Sequence, residues 1–455
     1  MANNGSGTAS HADVRVLVEN AEYWLNNRGD LAMMDVTVER LRARWPHARV
    51  GIPTYRPALL RALLPTAEPI SGRAGSWARE HRLRVPEVAG PRLVGPVAAG
   101  WHGVTVRPRR HVHDVRAAVR ARVHSGRREA RGATAAADAT PPTTRVPIAV
   151  QSASLVLALG GGYLTDGDPY QAYRTLNLLE HADSLGIPTA MVGQGIGPLD
   201  DPALLARAGE VLPRIGFIGV RERRRSVGLL ERLGVGSDKV LVTGDDAVEF
   251  GYRLSGKEIG SDIGVCLRVA SYTGVAEGVP DTVGRAVRDF AGSVNAALVP
   301  LIISEEDAED RRSTLPMVHG FARSREPVPR FGTAHDVAVQ VSRCRLVVTG
   351  AYHAAVFALS QGIPVVGLSG SRLYDDKLHG LAQLFEGGMR VVRVDSTDLE
   401  SALAGAITEL WNAAPRLRDG LRASARDQVA ASRAGYERVF RLVEADRPEV
   451  SAFKA

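Results

Sequence analysis

The chain has 455 residues, 45% of them hydrophobic and 24% charged, a balance that fits a soluble globular protein and a length that calls for about two domains. No apolar stretch approaches the ~18 residues of a membrane span, the opening MANNGSGTASHADVR has neither the basic start nor the apolar centre of a secretory signal, and two distant cysteines, Cys266 and Cys344, cannot build a zinc site alone and fit a reducing cytoplasm. The formal charge of +7 is carried by arginine, because lysine occurs only at Lys239, Lys257, Lys377 and Lys454; codon usage explains the total, and the placement of single basic residues is the more informative signal.

Residues 1–12 are polar and expected to be flexible. VRVLVEN (14–20) reads as a buried strand, NNRGDLAMMDVTVERLRARWP as a loop and a helix with Asp30 near its start, and RVGIP (49–53) as the next strand. This βαβ opening predicts a parallel sheet covered by helices. From about 72 to 144 the rhythm breaks into an Arg- and His-rich stretch with little periodicity. A basic helix is expected near 114–125, followed by the linker-like GATAAADATPPTT, and the whole reads as an insertion or lid. Its few aromatics argue against a nucleic-acid arm. The strand–loop–helix form returns at SLVLALGGGYLTDGDPY, PTAMVGQGIGPLDDP, IGFIGVRERRRS and KVLVTGDDAVEF. A pause near 251–261 suits a domain boundary. DIGVCLRVASY, AALVPLIISEEDAED, RLVVTGAYH, IPVVGLSGS and MRVVRVD supply the strands of a second half. A first domain over 13–250, a second over 251–415 and a final helix from about 415, packing back on the first domain, are therefore expected. Two open α/β halves place ligands beyond the carboxyl ends of their strands, in the cleft between them.

The chemistry-bearing residues fall at those strand ends. The glycines of GGG (Gly161 and Gly162 among them) and of GQGIGP (Gly195) admit close approach of a ligand to the backbone, although a lone GGG is more often a tight turn. Their spacing is not that of a dinucleotide fingerprint. Asn27 and Asp30 of NRGD suit either a helix cap or a site. Arg221 and Arg268 each end an apolar run and are candidate clamps for a carboxylate or phosphate. Asp245 and Asp246 are adjacent, so they point apart and do not form a shared-proton pair. No metal cluster accompanies them. His353, beside Tyr352, opens a helix whose free N–H groups suit an anion and whose dipole favours the neutral imidazole. Lys377, in a chain with so few lysines, follows the next strand and suits the same anion.

Taken together, NRGD, GGGYLTD, GQGIGP, VRERRRS, VTGDD and the run from His353 through FALSQGIPVVGL to Lys377 resemble, in order, the motifs of the polysaccharide pyruvyl transferase family. The resemblance covers most of 14–385 outside the insertion. It implies two Rossmann-like domains facing a cleft, as in GT-B glycosyltransferases. It also implies transfer of a pyruvyl group from phosphoenolpyruvate, a co-substrate rather than a cofactor, to hydroxyls of a sugar or glycoconjugate. The family's Arg, Asp, His and Lys map onto Arg221, Asp245 (or Asp246), His353 and Lys377. Where the family commonly has Arg-Leu-His, this chain has Ala351-Tyr352-His353, and Arg268, Arg372 or an arginine of the insertion is the candidate replacement. No nucleic-acid partner is expected, and peripheral membrane association only where the acceptor is lipid-linked. The competing expectations are a GT-B glycosyltransferase or sugar-nucleotide enzyme with a changed donor, and a non-catalytic glycan-binding relative.

Overall fold

Near-continuous Val/Ile/Leu runs make strands buried on both faces, which only helix-covered parallel sheets accommodate. The computed structural model describes residues 14–71, 74–77, 85–105, 144–269, 273–306 and 309–445. Its first sheet holds β1 (Arg15–Glu19), β2 (Arg49–Pro53), β3 (Glu68–Ile70), β4 (Leu155–Ala158), β5 (Gly161–Leu164), β6 (Thr189–Ile196), β7 (Phe217–Val220) and β8 (Val240–Val242), in the order β3-β2-β1-β4-β6-β7-β8, with β5 added alongside β6. The second holds β9 (Asp262–Cys266), β10 (Leu298–Pro300), β11 (Cys344–Thr349), β12 (Val365–Ser369) and β13 (Met389–Arg393), in the order β10-β9-β11-β12-β13. Every pairing is parallel.

Chain direction along each sheet reverses once, between β1 and β4 in the first and between β9 and β11 in the second. Such switch points open a crevice at the strand ends. The residues leaving these four strands are the β1 loop that leads to Asn27, the GGG stretch, Arg268 and His353. The two sheets meet across that crevice. Arg28 N–H donates to Ile303 O at 2.9 Å, and its guanidinium donates to the carbonyls of Ile302, Pro329 and Gly332 and to Glu305. Phe250 and Phe357, from helices of the two halves, approach to 6.0 Å between ring centroids. One hydrophobic cluster runs through both halves, joining Met33, Val248, Phe357 and Tyr436.

Three local expectations are corrected. The GGG stretch does not lead straight from strand to helix: it forms β5, and the helix begins at Pro169 behind the Asp168 cap. GQGI is not a loop but the end of β6. The final helix starts at Leu399, upstream of Pro415, and continues to Ala445. A proline inside a helix leaves the carbonyl four residues earlier without a donor. Here that carbonyl, Trp411 O, accepts from Arg345 Nε at 3.0 Å, and the Arg345 guanidinium lies 4.8 Å from the Trp411 ring centre. The helix therefore continues past Pro415, packing on both halves.

Within the insertion, helices Val85–Ala89 and Pro91–Thr105 are formed where no periodicity announced them. Gly95 lies against Phe331, and Arg92 pairs with Asp336, so the second helix reaches the second half. The flexible start and the basic helix near 114–125 lie outside the described residues.

Candidate active site

Asn27 caps the helix Arg28–Arg44 by accepting Gly29 N–H at 3.0 Å, so the cap is Asn27 and Asp30 is a first-turn acid. A Cβ on Gly29 would overlap the imidazole of His353. The glycine is what lets a histidine of the second half lie flat on the first turn of a helix in the first. His353 sits in the first turn of Tyr352–Ser360, behind Ala351, whose methyl cannot cap the helix.

Arg221, leaving β7, is buried and donates from Nη1 to Asp245 Oδ2 at 3.2 Å. Its guanidinium stacks 4.2 Å above the ring of Tyr352, a cation–π contact strengthened by burial. The glycines make room for this arginine. A Cβ on Gly195 would stand 2.8 Å from Arg221 Nε, and one on Gly162 would stand 2.7 Å from Arg221 Nη2 and 2.8 Å from Lys377 Cε. Gly161, by contrast, faces Tyr163. Lys377 lies in the second turn of Arg372–Leu384, with Nζ 5.4 Å from the Tyr374 ring centre. Thus Gly162 and Gly195 of β5 and β6, and Arg221 and Asp245 beyond β7 and β8, converge with His353 and Lys377 of two helices.

Asp245 also accepts Ala247 N–H at 2.9 Å, which fixes its carboxylate at the start of a helix. His353 Nε2 is 3.8 Å from Asp245 Oδ2, buried, and without a hydrogen-bond partner among the described residues. Asp246 points the other way. It accepts from Arg40 Nη1 at 3.1 Å, Ser432 Oγ at 2.5 Å and Tyr436 O–H at 3.1 Å, tying the last helix to the helix Arg28–Arg44. Arg268 is buried and gripped by Asp310, Nε to Oδ1 at 2.8 Å and Nη2 to Oδ2 at 2.9 Å. Arg372 is exposed and pairs with Asp200 at 3.5 Å, outside the buried group.

The site's electrostatics follow from packing Arg221, Arg268 and Lys377 with the carboxyls of Asp30, Asp245 and Asp310 largely out of water. Burial, then Arg221, Arg268 and Lys377, push the His353 pKa well below its usual 6.5. These causes add to the helix end that the sequence suggested, for His353 does lie in the first turn of its helix. Burial and the same two arginines bring Lys377 down to about 7, against an opposing pull from Asp30. Burial, then Asp245, raise Asp30 to about 7. Burial raises Asp245 as well, against the pull of Arg221. Burial opposes the charge on Arg221, but Tyr352 and Asp245 more than restore it. The result is an anion-attracting pocket in which Asp30 and Lys377 are brought near neutrality and His353 is kept neutral. Among the described residues, no group of three or more His, Cys, Asp or Glu could hold a metal ion.

Sequence reasoning missed Gly29 and Asp310. Gly29 stood inside the quoted NRGD, but nothing local said what would press on it. Asp310 lies 42 residues from its arginine, and only the fold pairs them.

A family model described as polysaccharide pyruvyl transferase matches residues 27–372, most of the chain. The chain belongs to the polysaccharide pyruvyl transferase family. It is accordingly a transferase, and the match opens at the Asn27 cap and closes at Arg372, just short of Lys377. No curated protein is a significant match in sequence. Among solved structures, a putative UDP-N-acetylglucosamine 2-epimerase from Listeria monocytogenes superposes with a TM-score of 0.54 at 14% identity, over 96% of this chain and 98% of that one. A UDP-GlcNAc 2-epimerase from Neisseria meningitidis bound to UDP-GlcNAc gives 0.53 at 12%, over 94% and 100%. The glycotransferase of kitacinnamycin gives 0.50 at 13%, over 95% and 99%. These likenesses show the fold: two Rossmann-like halves facing a cleft, in the GT-B manner.

Proposed function

We propose that this family member transfers the pyruvyl group of phosphoenolpyruvate to hydroxyls of a sugar or glycoconjugate, with phosphoenolpyruvate as a co-substrate and no cofactor. The observation that carries the reading is the convergence of buried Arg221 and Arg268 and half-buried Lys377 around His353, whose Nε2 has no partner among the described residues. A small trianion bearing a carboxylate and a phosphate is the ligand such a group suits. Arg268, fixed by Asp310, brings positive charge to a family site that here has Ala351 in place of an arginine. The helix start behind Ala351 adds N–H donors.

In this reading Asp30, with its carboxyl near 7, protonates the methylene carbon of the donor, and positive character develops at the adjacent carbon. An acceptor hydroxyl attacks that carbon and gives its proton to neutral His353, whose cation Asp245 at 3.8 Å stabilises. Inorganic phosphate then leaves with the bridging oxygen. A second hydroxyl of the same sugar attacks, its proton leaving with the phosphate, and a ketal results. Two hydroxyl protons are lost; one replaces the proton delivered to the methyl carbon and the other departs with phosphate. The buried, unpaired Cys266 and Cys344 suit a reducing compartment, so we place the reaction in the cytoplasm. No described helix is long and apolar enough to cross a membrane. A lipid-linked acceptor would require peripheral membrane contact.

Thermal melting tests the donor. A ligand at 100 times its Kd adds about 2.7 kcal/mol of stability. Phosphoenolpyruvate is expected to raise Tm, and Arg221→Ala to abolish that rise while still folding. A rise with uridine or other nucleotides alone, none with phosphoenolpyruvate, would mean that the substitution to Ala351 accompanied a change of donor to a nucleotide-sugar.

A further inference from the structure

The loop leaving β1, residues 20–27, carries aromatic and polar side chains that the donor chemistry does not use, and it runs directly into the helix that presents Gly29 and Asp30. Tyr23 and Trp24 meet Tyr55, the second residue beyond β2: the Tyr23–Tyr55 centroids are 5.2 Å apart and the Trp24–Tyr55 centroids 4.6 Å. One backbone and one side-chain hydrogen bond hold the two loops in register, with Tyr55 N–H donating to Tyr23 O at 3.0 Å and Asn20 Nδ2 donating to Pro53 O at 3.2 Å. Arg174 stacks behind Tyr23 at 3.5 Å and is anchored by the fully buried Glu19. The cluster is rigid, yet its outer ring is not covered: Tyr55 is 53% exposed and Tyr170, at the start of the neighbouring helix, 49% exposed. Tyr170 stands near enough to add to the rise that burial causes in the Tyr55 phenol pKa.

Polar groups edge these rings. Arg56 lies 5.6 Å from the Trp24 ring centre and donates to Asn26 Oδ1 at 2.9 Å. Glu22 accepts Asn26 N–H at 3.1 Å. Its carboxyl is raised to about 8 by burial and then by Asp30. Trp24 and Gly29 are five residues apart, at most about 18 Å along the chain.

A fixed aromatic face flanked by a guanidinium, an amide and a carboxyl has the chemistry of a sugar subsite. The rings take the axial C–H face of a pyranose and the polar groups take its hydroxyls, at small entropic cost because the rings are already held. We infer that Tyr55, Tyr170 and the edge of Trp24 form the platform on which the acceptor pyranose stacks, with Arg56, Asn26 and Glu22 bonding its hydroxyls and aiming two of them at the donor. This inference rests on the pyruvyl-transfer reading and says which part of the first half selects the acceptor.

The test is saturation-transfer NMR on the full chain with a panel of methyl glycosides: glucose, galactose, mannose, their N-acetylhexosamines and glucuronic acid, each alone and with phosphoenolpyruvate. At least one glycoside should receive saturation, chiefly on ring C–H protons. The signal should fall at least fivefold in Tyr55→Ala and be kept in Tyr55→Phe, while both variants retain the phosphoenolpyruvate melting shift. An undiminished signal in Tyr55→Ala, or no signal from any panel sugar with the natural protein, overturns the platform. Melting separates the two readings: a phosphoenolpyruvate shift with no sugar signal refutes the platform alone, whereas sugar saturation lost in Tyr55→Ala with no phosphoenolpyruvate shift keeps the platform and refutes the donor.

Discussion

Replacing Lys377 by methionine should make the protein more stable and the donor site useless. A lysine whose pKa is 10.5 when unfolded and about 7 when folded binds its proton less readily in the native state. At 1.36 kcal/mol per pH unit that gap amounts to about 5 kcal/mol of destabilisation at and below neutral pH. The side chain is half-buried rather than sealed, and solvent screening reduces the effect to about 2 kcal/mol. The sign fixes the pH dependence. Below pH 7 both states are protonated and the full cost is present. Between 7 and 10.5 the folded lysine is neutral while the unfolded one remains charged, so the cost fades with rising pH. Methionine preserves the volume of the chain beside Gly162 and carries no charge. The assay is thermal melting of both proteins from pH 6 to 10. At about 1 °C per kcal/mol for a chain of this length, Lys377→Met should melt about 2 °C higher at pH 6–7, and the difference should close by pH 10. Phosphoenolpyruvate at pH 7 should stabilise only the natural protein. A Tm difference that does not change with pH, or a less stable methionine variant, would refute the claim that burial among arginines depresses this lysine.

Donor affinity should share that titration. As pH rises from 7 to 8.5, Lys377 loses a proton and Asp30 completes its ionisation, so the Kd for phosphoenolpyruvate should rise at least tenfold by calorimetry. Gly29→Ala should fold, with unchanged circular dichroism, but lose more than ~100-fold in turnover because the new methyl displaces the His353 ring. Asp245→Asn and Asp246→Asn should separate two neighbours: both should lower stability by about 3 kcal/mol, the first by leaving Arg221 and the second by leaving Arg40 poorly paired, but only the first should cut kcat.

The sheet was legible because its signal is local. Buried parallel strands appear as continuous apolar runs, and RVGIP matches β2 residue for residue. The strand-end placement of Arg221, Asp245 and His353 needed only the general behaviour of α/β sheets. What was not legible depended on partners distant in sequence. Pro415 looked like a helix start because its missing N–H is compatible with the first turn; that Arg345 would satisfy Trp411 O and let the helix run through could not be read from either stretch alone. The glycines of GGG and GQGIG announced a close approach but not to what: at Gly162 and Gly195 the approaching groups are the protein's own Arg221 and Lys377. The two adjacent aspartates were ambiguous for the same reason. Only the arrival of Ser432 and Tyr436 on the last helix shows which carboxylate is committed to holding the fold.

Ala351 shows how such a site tolerates the loss of a family arginine. The alanine is fully buried, and its N–H is held by Thr349 Oγ1 at 2.9 Å, so the position is packed as well as uncharged. Around it Arg221, Arg268 and Lys377 already depress the pKa of His353, and Lys377 is itself depressed by the two arginines. A further buried cation would raise mutual repulsion without a new carboxylate to offset it, since Asp245 is engaged with Arg221 and Asp310 with Arg268. Ala351→Arg therefore should not restore a missing function. Overpacking alone costs about 1–3 kcal/mol, and an unpaired buried charge adds to that. The variant should melt at least 5 °C lower and bind phosphoenolpyruvate no more tightly than the natural protein. Tighter binding in Ala351→Arg would mean that Arg268 does not stand in for the family residue, and that this chain's donor site is short of a guanidinium.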